Sequence, residues 1–410
     1  MPGPAKRINL RHVVYVLLPS PMSTPPEGRA PSHTEDVAQR HEGASIPSSA
    51  VPAPPGLHGA PLARLALSII VLLVVYASLY PFSGWVDVGV PPFAYLRAPW
   101  PQYWVGSEII ANVAAYLPVG ALFVWAVYPA CRGLLAVVLA VACCGLLSGV
   151  LEALQTYLPN RIASNVDLAA NTAGALLGAL VGTATASWLI GHGALARWRQ
   201  RWFRAEAGPA LILAMLWVFM QIPRQPMLFG TGELWLLLGD WAALPSDVVG
   251  FLWSPEPAQR IVAEQVCTAA AVVGAAMLLL YMARPVPARG ILPIVLVACA
   301  VLAKAALQPL AVPGQAPGAW VTTGAAAGTA AGLLLATGMA YLKPAWQRGL
   351  GITALCVQLA IVNLFPSDQY FDMTTAMART GWLHLESLTL GLSVIWPLAA
   401  LFFLARRRPA

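Results

Sequence analysis

Eight polar side chains in otherwise apolar sequence define the chemistry open to this chain. Glu108 and Asn112 stand four residues apart, as do Asp167 and Asn171; Ser148, Glu152 and Gln155 follow at i, i+4 and i+7. Each spacing places its residues on one helix face. With Arg161 they amount to three carboxylates, a guanidinium, two Asn, a Gln and a Ser. A carboxyl group that is partly desolvated and close to other acids can keep its proton near neutral pH. Glu152 and Asp167 are therefore candidates for general acid/base work. Glu108, Asn112, Ser148, Gln155, Arg161 and Asn171 are binding candidates, Arg161 being suited to an anionic head group. The competing use is structural, as interhelical glue. Bonds of that kind average about 0.6 kcal/mol in membranes, whereas an ionised residue at a helix centre costs roughly 2.5–3.5 kcal/mol. Position near the membrane boundary lowers that cost and narrows the contrast.

The elements that must position these groups are membrane spans. The chain has 410 residues, 58% hydrophobic and only 10% charged, with a formal net charge of +7 and a mean hydropathy of +0.68. A soluble domain carries about 25% charge, so a bilayer is the solvent that fits. Runs of spanning length, about 20 residues, fall at 62–81, 108–128, 134–156, 166–190, 209–228, 259–282, 291–310, 318–341, 350–365 and 387–405. The stretch 234–253, broken by Asp240, Pro245 and Asp247, reads as interfacial or re-entrant. With the first helix entering from the cytoplasm, twelve Lys and Arg lie in inner segments and five in outer ones. That satisfies the positive-inside rule for ten helices with both termini cytoplasmic. The ends bearing Glu108, Glu152 and Asp167 then share the extracytoplasmic side with Arg161. Pro118 and Gly120 are expected to interrupt the second helix and open space below the site. Gly174, Gly178 and Gly182 form a small-residue stripe that permits close helix contact.

Residues 1–60 are proline-rich and polar, a composition that reads as a disordered cytoplasmic tail, or as an upstream extension if translation begins at Met22. The six cysteines show neither metal-ligand spacing nor a disulfide pattern and read as small hydrophobes. No cofactor motif or metal set stands out. Asp368, Asp372, His384 and Glu386 form an outer acidic group that is weak as a metal site. Lys304 is expected to snorkel outward. The segment 192–207, with four Arg and two Trp, reads as a basic amphipathic linker on the membrane surface.

Residues 65–190 resemble the VanZ-like family. The resemblance rests on Glu108-x3-Asn112 followed by Leu117-Pro118-x-Gly120, on Ser148-x3-Glu152-x2-Gln155 with Arg161, and on Asp167-x3-Asn171-x2-Gly174-x3-Gly178. The family often has Asp where this chain has Glu108. The resemblance implies a four-helix integral membrane unit and an association with cell-envelope phenotypes, notably low-level teicoplanin resistance. It supplies no settled reaction.

The second half reads as a worn copy. An offset of about 156 sets Glu264 on Glu108 and Thr268 on Asn112; an offset of 153 sets Gln308 on Gln155 and Trp320 on Asp167. The expected architecture is all-α, a polytopic transmembrane bundle of about ten helices. It comprises a four-helix unit at 61–191, the linker, a degenerate copy at 208–342, and two further helices at 343–410. The expected role is that of a multi-pass inner-membrane protein binding or handling an amphipathic or lipid-linked envelope molecule on the outer side. The alternative is an enzyme acting on a lipid-linked precursor. Either way the partner is membrane lipid or a lipid-linked component rather than nucleic acid.

Overall fold

The computed structural model describes residues 59–365, apart from 81, 101–105, 160, 191–192, 223–224, 226, 235–255 and 312–317, together with 383–406. The proline-rich N-terminal segment lies almost wholly outside the described residues. So do Asp240, Asp247, Asp368, Asp372 and the side chains of His384 and Glu386.

Among the described residues there are eleven α-helices: α1 (Gly59–Leu79), α2 (Gly106–Val127), α3 (Gly133–Gln155), α4 (Asn165–Leu189), α5 (Ala194–Trp202), α6 (Gly208–Met220), α7 (Pro257–Tyr281), α8 (Ile291–Ala311), α9 (Thr323–Gly338), α10 (Pro344–Leu364) and α11 (Leu383–Ala405). Eight are long and apolar enough to cross a membrane, while α6 and α11 contribute shorter apolar helices. Large apolar side chains such as Leu134, Leu146, Leu302 and Leu334 point outward, as contact with lipid tails allows. The protein is an all-α, multi-pass helical bundle. Helix starts follow local chemistry. Ser164 caps α4 through Val166 N and Asp167 N, Thr322 caps α9 through Ala325 N, and Pro257 opens α7 behind a Glu256–Gln259 capping box.

Two helix pairs make unusually close contact. A Cβ added at Gly174 or Gly178 would strike the carbonyl oxygen of Val113 or Leu117, and one at Gly182 would lie 2.9 Å from that of Ala121. Between α9 and α7 the pattern recurs: Gly324, Gly328 and Gly332 face the carbonyls of Ile261, Gln265 and Ala269. Only the missing side chains let these backbones approach. Where an interruption and open space were expected, α2 continues through Pro118. Gly120 instead admits the Ala175 carbonyl of α4, so the gap left by its missing side chain is filled by a neighbouring backbone.

The fifth apolar run departs further from expectation. Instead of spanning 209–228, α6 ends at Met220, shortly before Pro223 in the sequence, a residue type that disfavours helix immediately before it. Residues 227–233 are then buried without being helical. Side chains supply their hydrogen bonds: Thr268 Oγ1 donates to Leu228 O (3.0 Å), Gln358 Nε2 to Thr231 O (2.6 Å) and Asn363 Nδ2 to Gly232 O (2.8 Å). Such backbone is tolerated inside a membrane protein only where protein groups satisfy it. Lys304 also differs from expectation. It is buried rather than snorkelling, its Nζ donating to Gln221 O at 2.9 Å and lying 5.8 Å from the Trp320 ring centroid.

The basic linker forms α5, with Trp198 and Trp202 stacked at a tilt. It is tied to the end of α7 by Arg204 N to Met282 O and Arg284 N to Trp202 O.

Candidate functional site

The site lies where one end of α2, α3 and α4 meet. Asp167 sits in the first turn of α4 because Ser164 caps that helix and sets its start. From α2, Asn112 Nδ2 donates to Asp167 Oδ1 at 2.8 Å. From α3, the buried Glu152 accepts the Ser164 backbone N–H on Oε2 at 2.8 Å. One turn deeper, Asn171 Nδ2 donates to Ser148 Oγ at 2.9 Å, and the hydroxyl of Tyr116 also hydrogen-bonds Ser148. Glu108, exposed at the start of α2, and Glu152 both exert their charge on Asp167 or receive its charge. All three carboxylates therefore share one electrostatic neighbourhood.

Gln155 and Arg161 serve a different purpose within it. Gln155 Nε2 donates to Ser78 O (3.1 Å) and Arg161 Nη2 to Ala77 O (2.8 Å). These are among the last carbonyls of α1, which have no partner within their own helix. A cation there also suits the negative end of the helix dipole. Burial lowers the Arg161 pKa, and the nearby Glu152 carboxylate opposes that shift. The guanidinium thus helps to fasten α1 to the site.

Each donor side chain of the cluster reaches a protein acceptor. On the acceptor side, Asn171 Oδ1 is buried without a hydrogen-bond partner. Residues 64–186, which include every member of the cluster, match the model of the VanZ/LLP1 family. The chain is thus a multi-pass membrane protein that carries a VanZ-like unit over that stretch. No curated protein and no solved structure matches the chain. The VanZ-like unit comprises α1 to α4, with α4 packed most extensively on α2 and next on α3.

The structure brings together the polar residues singled out by spacing and adds three more. Ser164 was recognisable in principle, since Ser164-x2-Asp167 has the form of a capping box ahead of an apolar run. Tyr116 looks like an ordinary apolar-face residue. Tyr95, buried in the loop between α1 and α2, donates to Gly149 O at 3.0 Å and belongs to no periodic pattern. Outside the VanZ-like unit, Glu233 is a further buried carboxyl group, missed because it sits in a non-helical stretch with no spaced polar partners.

Proposed function

We propose that the VanZ-like unit binds or handles an amphipathic or lipid-linked molecule of the cell envelope. The protein would reside in the inner membrane with both termini cytoplasmic, and the α2–α4 site would open on the extracytoplasmic side. One observation carries this reading. Asn171, only 7% exposed, retains an unpartnered acceptor inside an otherwise connected polar cluster. Gln221, Gln347 and Gln358 also hold unpartnered amide oxygens; the one at Asn171 differs in lying one helical turn from Asp167, where the charges of Glu108 and Glu152 converge. The positive-inside arrangement supports the orientation, and the family resemblance supports an envelope role.

The helices α6 to α9 fit the reading of a degenerate parallel copy of α1 to α4. Support comes from the two glycine ladders, in which Gln265 occupies the place of Leu117 and Gly328 that of Gly178. That register would set Glu264 level with Tyr116 and Glu256 level with Glu108, an alternative to the pairing of Glu264 with Glu108 at the 156-residue offset.

The test is the Glu152→Gln variant in a host where the wild-type chain alters sensitivity to a glycopeptide such as teicoplanin. Loss of that effect with normal membrane-inserted yield is expected. A degraded or aggregated variant would favour interhelical glue. Conversion of a lipid-linked precursor by purified protein, seen by mass spectrometry, would shift the reading to an enzyme with Glu152 or Asp167 as acid/base.

A further inference from the structure

The direction of the hydrogen bonds in the α2–α4 site constrains what can enter it. Each side-chain donor group around the site gives at least one hydrogen bond to a protein acceptor: Asn112 to Asp167, Asn171 to Ser148, Gln155 to Ser78 O, Arg161 to Ala77 O, and Tyr95 to Gly149 O. Among the acceptors one is unmet. Asn171 Oδ1 is buried and has no partner. Glu152 receives Ser164 N–H on one oxygen, Asp167 receives Asn112 on one oxygen, and Glu108 stands exposed beside Asp167. Three carboxyl groups face one guanidinium, and that guanidinium is bound to the end of α1. An incoming phosphate or carboxylate would meet acceptors and negative charge. A group rich in O–H or N–H would instead supply the missing donors, including the one that Asn171 Oδ1 lacks.

We infer that the site takes a hydrogen-bond-donating head group without negative charge, either the hydroxyls of a sugar or an ammonium group carried on a lipid. This rests on the proposed ligand-binding role and replaces the anionic head group expected from Arg161 alone. Depth supports it. Asn171 lies one turn below Asp167 on α4, so the donor must reach past the exposed Glu108 and the half-buried Asp167 to a buried oxygen. A small hydroxyl or ammonium group can reach that oxygen more readily than a bulky, hydrated phosphate.

The test is native mass spectrometry of the full chain in detergent with three separate probes: monoglucosyl dioleoylglycerol, stearylamine and dioleoyl phosphatidic acid. At least one of the first two is expected to bind tenfold or more tightly than phosphatidic acid, and which one does separates sugar from ammonium. Asn171→Leu should remove that preference. Because this variant could compromise folding, Glu108→Gln, at an exposed side chain, provides a second measurement and should weaken binding several-fold with folded yield unchanged. Preferential binding of phosphatidic acid that is lost in Asn171→Leu would overturn the donor inference and leave the ligand-binding reading intact. Equal binding of all three probes to the wild type and both variants would overturn both.

Discussion

The side-chain amide of Asn112 on α2 donates to Oδ1 of Asp167 on α4 across 2.8 Å. This bond joins the two most extensively packed helices of the VanZ-like unit at the level where the acids converge. Asn112→Leu should remove it and leave Asp167 beside Glu108 and Glu152 without its amide donor. Interhelical bonds of this kind contribute about 0.6 kcal/mol on average and about 1.7 kcal/mol at most. Reversible unfolding in a bilayer should therefore show a loss within that range, whereas ligand binding should fall tenfold or more. A large loss of stability with binding unchanged would assign Asn112 to packing alone.

The glycine ladders make a sharper stability prediction. Gly178→Ala would place a methyl group against the Leu117 carbonyl, and Gly328→Ala one 2.5 Å from that of Gln265. Backbone cannot yield as a flexible side chain does, so each substitution should cost about 1–3 kcal/mol. Gly338→Ala meets open space in α9 and should be neutral or stabilising by up to about 1 kcal/mol. Thermal unfolding of the three variants in one detergent makes the comparison.

Ser164 separates capping from site chemistry. Its hydroxyl accepts from Val166 N and Asp167 N, while its backbone N–H holds Glu152. Ser164→Ala should cost about 1 kcal/mol through the lost cap. The backbone bond to Glu152 survives that change, so ligand affinity should stay within about threefold of wild type. An affinity loss matching that of Glu152→Gln would place the Ser164 hydroxyl itself in the binding chemistry.

Orientation can be read chemically. Gly106 is exposed at the start of α2, and nothing lies within 4 Å of a Cβ added there. With native thiols blocked, Gly106→Cys should react with a membrane-impermeant maleimide on intact cells. Reaction only after permeabilisation would invert the topology.

Hydropathy located the ten apolar helices of the described residues because each run is long enough to dominate its local sequence. It misjudged α6, since burial alone does not distinguish helix from the side-chain-supported stretch through Phe229 and Glu233. The polar cluster was legible because Glu108, Glu152 and Asp167 interrupt apolar faces at helical spacing. The direction of each hydrogen bond was not. Arg161 looks like an anion receptor in the sequence, and only the carbonyl at the end of α1 reveals its structural task. Lys304 likewise lies within reach of the outer end by residue count, yet it turns inward to Gln221 O. Residue type fixes what a side chain can do, but the neighbouring helix decides what it does.

The central claim is that α3 and α4 contribute acids to a single site. A double-mutant cycle on ligand affinity with Glu152→Gln and Asp167→Asn, each alone and combined, tests it most directly. The expected result is strong non-additivity, a coupling above about 1 kcal/mol, because the two carboxyl groups act on the same bound group. Effects that add to within about 0.5 kcal/mol would mean that the two acids serve separate surfaces, contradicting the shared site.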